Sequence, residues 1–158
     1  MNPIIEPVLP VNIVLSTLVF YIAARIYVWP NLGRWSPRTL LTPILLFHSM
    51  RHLGMMFLAP GAVFPGMPAA FAIPAALGDL VTAGLAVTAI PGVRTDFSKV
   101  RTHLWIFNVV GVVDLFTAIA LATIYGAPAK MGPAYWIPAL WVPALLVTHL
   151  ITHKVLRR

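Results

Sequence analysis

The segment F-H-S-M-R-H-L-G, residues 47–54, places two histidines and one arginine inside an apolar stretch. On an α-helix, His48 and His52 would lie about 40° apart on one face, with Arg51 on the flank of that face. Inserting an arginine at the centre of a bilayer costs roughly 2.5–3.5 kcal/mol. We therefore expect Arg51 to have a partner inside the membrane, and the group that they form to have a function.

Two aspartates interrupt later apolar stretches, Asp79 in A-A-L-G-D-L and Asp114 in G-V-V-D-L. Counted at about 1.5 Å per residue from the predicted helix ends, both lie within about a turn of the depth of Arg51. Kept apart, the three charges would cost roughly 9 kcal/mol, so we expect them to be in contact. One arginine cannot neutralise two carboxylates, so either a histidine or a carboxylate must carry a proton.

Histidines at matching depth on two helices are typical of a haem or metal site. His149 lies at about the predicted depth of His48, as two axial ligands of haem b would. His48 and His52 have the i, i+4 spacing that can hold a divalent metal, and Asp79, Asp114 or His149 could complete such a site. Satisfied buried histidines would give the same pattern, so haem b, a divalent metal and no cofactor all stay open.

The fourth predicted helix carries a stripe of polar residues. Asn108 lies between His103 and Asp114, and eleven residues separate those two, which returns them to one helix face. Chains of Asp and His side chains inside membranes relay protons. The stripe therefore indicates a second function, a proton pathway from the cytoplasmic side to the middle of the membrane.

The composition is that of an integral membrane protein. Of 158 residues, 59% are hydrophobic and 9% are charged, and the mean hydropathy is +0.88, far from the balance of a soluble domain. Cysteine is absent, which excludes thiolate metal sites, disulfide exchange and iron–sulfur clusters. The net charge of +7 is spread singly over short loops, which favours attraction to lipid headgroups over binding of nucleic acid.

The predicted fold class is all-α: one transmembrane domain over residues 1–158, with five helices and no soluble domain. The helices are expected at about residues 8–29, 39–58, 69–90, 103–125 and 136–156. Pro91 and Gly92 are expected to end the third helix, and Pro143 is expected to kink the fifth.

Basic residues favour one orientation of these five spans. One side of the membrane receives Lys130 alone. The other side receives eight basic residues: Arg34, Arg38, Arg94, Lys99, Arg101, Lys154, Arg157 and Arg158. Because cytoplasmic loops collect Lys and Arg, we predict that the N-terminus lies outside and the C-terminus in the cytoplasm, in a bacterial inner membrane.

The segment R-H-L-G-M-M-F-L-A-P-G, followed by P-A-A-F-A-I-P-A-A-L-G-D-L-V-T-A-G-L-A-V, resembles the DoxX-type small membrane proteins. In that family a helix with arginine and glycine ends in a glycine turn and precedes a small-residue helix with an acidic residue at its middle. The resemblance covers about residues 51–90. It implies a four-helix core with one added helix and an association with respiratory or sulfur-linked redox complexes. The first helix and the histidine pairs depart from the family pattern, so no residue role is carried over.

Three functional hypotheses follow from these residues. The first is a small inner-membrane protein whose bundle binds a small ligand or a redox cofactor at a polar site. The predicted site residues are His48, Arg51, His52, Asp79, Asn108 and Asp114. The second is a proton-conducting or small-solute transport bundle, and the third is a non-catalytic scaffold or assembly subunit whose buried charges hold helices in register. Enzymatic activity stays open; the expected partners are the lipid bilayer and either further copies of the chain or other subunits of a membrane complex.

Overall fold

The computed structural model describes residues 8–158, which form helices and short connections without a strand. Five α-helices follow one another along the chain: α1 (Val8–Ala23), α2 (Pro37–Ser49), α3 (Ala69–Thr95), α4 (Phe97–Ile124) and α5 (Val142–Leu156). The predicted all-α class is confirmed for this part of the chain. The predicted exterior N-terminus falls on residues 1–7, which lie outside the described range.

The second predicted helix changes its geometry halfway along. Beyond α2, the chain continues as a 3₁₀ helix over Met50–Leu58. This 3₁₀ segment has three residues per turn, so residues three apart lie above one another. Arg51, Gly54 and Phe57 are its buried residues, and all three face the bundle. The uniform α-helix predicted here is therefore wrong from residue 50 onward. The tighter turn of the 3₁₀ helix instead brings these three side chains into one line.

The predicted end of the third helix at Pro91 and Gly92 is also wrong. α3 passes through Pro91 and continues to Thr95. A proline removes one backbone N–H, which a membrane helix packed among others tolerates. The helix ends only where Asp96 adopts an extended conformation, with φ −144° and ψ 94°.

The same aspartate starts α4 well before the predicted position at His103. Its carboxylate accepts hydrogen bonds from the backbone N–H groups of Ser98 at 3.1 Å and Lys99 at 3.4 Å. Asp96 is thus the N-cap of a helix that begins at Phe97. The basic loop predicted between the two helices shrinks to this one residue.

α1 and α5 are each continued by a widened turn. A π-helical turn, Ala24–Val28, follows α1, and another, Ile137–Trp141, precedes α5. Pro143 lacks the N–H that would bond the carbonyl of Ala139, which lies within the second of these turns. The irregularity expected at Pro143 therefore appears as a wider turn before it.

Four stretches of the described chain are long and apolar enough to cross a membrane: Val8–Asn31, Ala69–Thr95, Phe97–Ile124 and Gly132–Leu156. They contain 24, 27, 28 and 25 residues, whereas a bilayer requires about 20. The stretch made of α2 and the 3₁₀ segment is not in this set. The fold is a helical bundle compatible with a membrane protein.

Buried apolar side chains form one large group at each end of the bundle. The packed half, where α1, α3 and α5 finish, contains Ala24, Leu40, Leu41, Ile44, Leu45, Ala86, Ala89, Val93, Val100, Leu104, Phe107, Val147, Ile151, Val155 and Leu156. The alanine half, where those helices start, contains Leu9, Phe57, Phe71, Ala72, Ala75, Ala122, Ala127, Met131, Ala134 and Ala139. Since most members of the second group are alanine, the alanine half holds less side-chain volume.

Two connections meet at the end of the alanine half. Residues 59–68 contain no regular helix, as predicted. The N–H of Phe64 donates to the carbonyl of Lys130 at 2.9 Å, and the N–H of Ala134 donates to the carbonyl of Ala62 at 2.9 Å. These bonds join the connection between the 3₁₀ segment and α3 to the segment before α5.

Candidate functional site

Arg51 is the centre of a polar group between the two halves, and it is 1% exposed. Its Nε donates to Asp79 Oδ1 at 2.7 Å, and its Nη2 donates to Asp114 Oδ2. Its Nη1 lies 3.3 Å from both the carbonyl oxygen of Gly111 and Nε2 of His149. The predicted contact of Arg51 with both carboxylates is confirmed. Through these bonds α3, α4 and α5 meet the 3₁₀ segment at one side chain.

Three glycines make room for the polar side chains around Arg51. At each of them, an added Cβ would overlap an atom of a neighbouring polar side chain. The pairs are Gly54 with Asp79, Gly78 with Asp114, and Gly111 with His149. Glycine permits such a close approach because it has no side chain. The polar group is therefore fitted into notches on the 3₁₀ segment, α3 and α4.

His149 extends the polar group toward the packed half. It is 1% exposed, and its Nδ1 lies 3.0 Å from Asn108 Oδ1. Arginine only donates hydrogen bonds, so Nε2 of His149 accepts from Arg51. The proton of the neutral ring is then on Nδ1 and is donated to Asn108. His149 is thus an uncharged link between Arg51 and Asn108.

His48 lies beside His149, with ring centroids 4.3 Å apart, the contact expected from their matching depths. Its Nε2 lies 2.9 Å from Thr148 Oγ1, whose own proton is shared by the carbonyls of Ala144 and Leu145. His48 therefore donates through Nε2. Its Nδ1 is buried and has no hydrogen-bond partner among the described residues.

The predicted site residue His52 lies apart from this group. Its side chain is exposed, and Nδ1 is 3.1 Å from the carbonyl oxygen of Ser49. The common face predicted for His48 and His52 assumed about 100° per residue, whereas a 3₁₀ helix turns about 120°. The change of helix type rotates His52 away from both His48 and Asp79, so the predicted i, i+4 pair does not form.

His103 also lies apart from the polar group. Its Nε2 is 2.9 Å from the carbonyl oxygen of Leu85 and 3.1 Å from Oγ1 of Thr88, both on α3. Asn108, the next member of the predicted stripe, bonds His149 on α5 instead. The stripe predicted along α4 is therefore divided between two neighbouring helices.

A cavity of about 310 Å³ lies in the alanine half and ends at the carboxylates. Its polar lining consists of Asp79, Asp114 and Thr123, and the Thr123 hydroxyl donates to the carbonyl of Ile119 at 2.9 Å. The Asp79 and Asp114 side chains are each 13% exposed. Apolar walls with a few polar groups at one end are the usual features of a small-molecule site.

Two further spaces reach the same polar group. A cavity of about 180 Å³ reaches Arg51 and Asp79 from the side of Trp141. A groove of about 580 Å³, between α1, α4 and α5, reaches Asn108 and His149. Three spaces therefore reach the polar group: the cavity in the alanine half, the smaller cavity beside Trp141 and the groove beside α1.

The histidines do not fit the predicted metal or haem ligation. Within residues 8–158, no group of three or more His, Asp or Glu side chains is placed to hold a metal ion. Haem b would require a macrocycle between His48 and His149. The centroids of these two rings are 4.3 Å apart, so the rings are in contact and leave no space for a macrocycle between them. Both nitrogens of His149 are also engaged, by Asn108 and Arg51. These residues support neither haem b nor a divalent metal.

The polar group does not balance its own charge. Arg51 supplies one positive charge, and Asp79 and Asp114 supply two negative charges when both are ionised. His149 is neutral in the tautomer that its hydrogen bonds require. A proton on Nδ1 of His48 would be a buried charge without an acceptor among the described residues, so His48 is taken as neutral too. A surplus charge in an apolar environment is costly, so the remaining negative charge needs a counterpart.

Sequence reasoning assigned no site role to several neighbours of these side chains: Gly54, Gly78, Gly111 and Thr148. Gly78 directly precedes Asp79 in the sequence. A small residue next to a buried charge indicates that another helix packs closely at that level. Thr148 carries no such signal, because its contact with His48 arises only when α2 approaches α5.

Fold and site together define an all-helical bundle in which, within the described residues, four membrane-length helices accompany a buried arginine, two carboxylates and two histidines. The chain belongs to the family described as a domain of unknown function (DUF8737), which matches residues 8–157. No curated protein and no solved structure matches the chain significantly.

Proposed function

We propose that this protein binds a small, mainly apolar ligand inside a membrane helix bundle. The observation that carries the proposal is the cavity of about 310 Å³ whose apolar walls end at Asp79 and Asp114. Arg51 holds both carboxylates in place, so the polar end of the cavity is organised before a ligand arrives. Preorganisation of this kind raises affinity because little ordering remains to be done on binding.

Five membrane spans are part of the proposal. α2 and the 3₁₀ segment contain 13 and 9 residues, which at about 1.5 and 2.0 Å per residue give about 37 Å. That length exceeds the hydrocarbon core of about 30 Å. With this fifth span, Lys130 is the one basic residue in the connections at the alanine end of the described chain. This charge distribution supports an exterior N-terminus and a bacterial inner membrane.

The surface around the bundle supports a bilayer as the surrounding medium. Val14, Val19 and Ile26 of the first span are 65%, 64% and 59% exposed. Lipid chains would cover these side chains, and a homo-oligomer or a larger membrane complex would cover them equally well. The mass of the purified protein in detergent, measured by light scattering, distinguishes a monomer from both assemblies.

The ligand proposal is tested by filling the cavity. Ala118 lines the cavity, whereas Ala120, two residues along α4, is exposed and lines none of the three spaces. We expect the small apolar fluorophore 1-aminoanthracene to bind the purified protein saturably. Ala118→Phe should weaken this binding at least about tenfold, because the added ring occupies the cavity.

Ala120→Phe is the matched control, with the same substitution on the same helix facing outward, and it should bind the fluorophore as the wild type does. Equal binding by both variants would show that the fluorophore lies elsewhere. Saturable binding by neither the wild type nor the control would overturn the proposal.

A second candidate function is proton conduction. Asn108, His149 and Arg51 form a continuous line of hydrogen bonds from the groove to Asp114 at the cavity. Arg51 stands in the middle of this line, and arginine keeps its protons, so a proton would have to bypass it. We rank this function second for that reason.

Reconstituted vesicles containing a pH-sensitive dye test the second candidate. Under an imposed potential, a conducting bundle should acidify the vesicle interior, and Asp114→Asn should stop the flux. No difference in flux between wild-type vesicles and protein-free vesicles would end this candidate, while leaving ligand binding unaffected.

A further inference from the structure

We infer that the ligand of the cavity is a lipophilic monocation and that it exchanges with one proton on the pair of Asp79 and Asp114. This inference rests on the proposed ligand-binding function and adds the charge of the ligand. Its basis is the combination of an apolar cavity with two carboxylates that share a single arginine.

The charges around the carboxylate pair can be counted element by element within the described residues. The 3₁₀ segment contributes Arg51, α3 contributes Asp79 and α4 contributes Asp114. α5 contributes His149, which contacts Arg51, and α2 contributes His48 beside it. α1 and the segment before α5 line the cavity with residues that have no titratable group: Leu9, Pro10, Ile13, Val14, Pro128, Met131, Ile137 and Pro138.

This count leaves one uncompensated negative charge. His149 accepts a hydrogen bond from Arg51 and therefore has no proton on the nitrogen that faces the group. Arg51 is permanently charged and balances one carboxylate. The second carboxylate needs either a proton or a cation, because an unpaired buried charge is costly.

The exchange balances in atoms and in charge. Without a ligand, one carboxyl of the pair carries a proton and the group is neutral. When a monocation enters the cavity, the O–H bond of that carboxyl breaks, and the proton leaves to water. The carboxylate then pairs with the cation, and the group is again neutral. One proton is released for each cation bound.

The apolar walls determine the remainder of the ligand. Apart from the carboxylates and Thr123, the lining consists of apolar side chains such as Phe57, Phe71 and Leu115. The Thr123 hydroxyl already donates its hydrogen bond to the carbonyl of Ile119. A strongly hydrated metal ion would find only the carboxylates and Thr123 as oxygen ligands in this lining, whereas hard cations take about six or more. A cation with an apolar body, such as an organic amine or ammonium ion, suits both the walls and the carboxylates. The cavity volume of about 310 Å³ lies at the lower end of ligand sites and favours a small molecule.

Two probes of the same shape separate charge from size. Benzyltrimethylammonium is a permanent cation, and neopentylbenzene is its neutral isostere, with carbon in place of nitrogen. Binding of each to the full chain in a nonionic detergent is measured by calorimetry in two buffers that differ in ionisation enthalpy. The difference between the buffers gives the number of protons released.

The cation should bind with release of about one proton, and its affinity should rise about tenfold per pH unit while the pair is protonated, as linkage requires. Neopentylbenzene should bind with no proton release and no dependence on pH. Asp114→Asn leaves one carboxylate paired with Arg51 and no surplus charge. In this variant the ratio of the affinities for benzyltrimethylammonium and neopentylbenzene should fall about tenfold or more, and the proton release should be lost.

Asp79→Asn is the second variant and should show the same selective loss, so a folding defect in one variant does not decide the test. Binding of the cation without proton release, or equal affinity of both variants and wild type for the cation, would overturn the inference while ligand binding itself stands. Failure of both probes to bind, together with failure of the fluorophore, would instead overturn the proposed function.

Discussion

The two halves of the bundle contain the same kinds of helices but differ in the side chains between them. In the packed half, Leu41, Leu45 and Leu104 are fully buried at 0% exposure. In the alanine half, small side chains from three elements, Ala72 of α3, Ala122 of α4 and Ala139 before α5, face the interior, and a cavity remains. The comparison relates the cavity to the smaller side-chain volume between the helices of the alanine half.

The polar group lies at the boundary between these halves and serves both. On the packed side, His149 and Asn108 are 1% and 5% exposed and complete each other's hydrogen bonds. On the other side, Asp79 and Asp114 are each bonded to Arg51 and still partly open to the cavity. The same arginine therefore bonds a buried histidine on one side and the two carboxylates that line the cavity on the other.

Removal of Arg51 should produce the largest effect on this boundary. Arg51→Met leaves two buried carboxylates without a positive partner, which should lower the free energy of unfolding by about 3–5 kcal/mol. Thermal unfolding in detergent, followed by circular dichroism, measures the loss.

The control removes all three charges, by combining Arg51→Met with Asp79→Asn and Asp114→Asn. Replacing a whole buried ion group is close to neutral, so the triple variant should regain most of the lost stability. If Arg51→Met alone unfolds at the wild-type temperature, the charges do not hold the halves together.

Changes of side-chain volume should have opposite consequences in the two halves. Leu45→Ala removes packed side-chain volume and should cost about 2–3 kcal/mol, at the lower end for such changes because lipid is as apolar as the core. Ala118→Leu adds volume at the cavity and should leave stability unchanged or raise it by up to about 1 kcal/mol. Unfolding temperatures of the two variants check the comparison. Equal losses would mean that both halves are filled to the same density.

A glycine notch can be compared with an open glycine on the same helix. Gly78→Ala places a Cβ against the Asp114 carboxylate and should cost about 1–3 kcal/mol. Gly84 has no neighbouring atom within 4 Å of an added Cβ in the described chain, so Gly84→Ala should gain about 0.5–1 kcal/mol from helix propensity. Thermal unfolding measures both. A similar response from the two glycines would contradict the notch at Gly78.

The smallest effect is expected at the turn that joins α3 to α4 beyond the packed half. Hydrogen bonds from Ser98 and Lys99 hold the pKa of the exposed Asp96 carboxyl below its ordinary value of 3.8. Because the pKa is lowered by folding, the ionised carboxylate stabilises the protein above about pH 4, and this contribution is lost as the pH falls through the lowered pKa. Asp96→Asn should therefore have a slightly lower Tm than the wild type near pH 6, and the difference should shrink as the pH falls below 3.8. A constant difference across this range would contradict the assignment.

The level of a residue along the bundle could be predicted from the sequence, whereas its direction around the helix axis could not. The rise per residue differs little between helix types over a turn or two, so the levels of Arg51, Asp79 and Asp114 were predictable. Rotation accumulates an error of about 20° for every residue that is 3₁₀ instead of α. That error moved His52 off the predicted face.

The end of α3 and the cavity show what else a sequence pattern cannot supply. Charged residues around Asp96 resemble a loop, yet one N-capping carboxylate lets both helices continue almost to each other. The cavity depends on the summed volume of side chains from α1, α3, α4 and the segment before α5. Helix spacing and side-chain packing decide that sum, and neither is visible in the order of residues.

The sequence distances within the polar group have a consequence for biosynthesis. Arg51 is made 28 residues before Asp79 and 63 residues before Asp114. When its segment first meets the bilayer, the arginine has no counter-charge, and its transfer costs roughly 2.5–3.5 kcal/mol. The segment that carries it is also the one stretch of the proposed five that is absent from the four membrane-length apolar stretches of the described chain. If this segment spans the membrane as proposed, we expect its stable insertion to depend on α3 and α4, which are made later and carry both counter-charges.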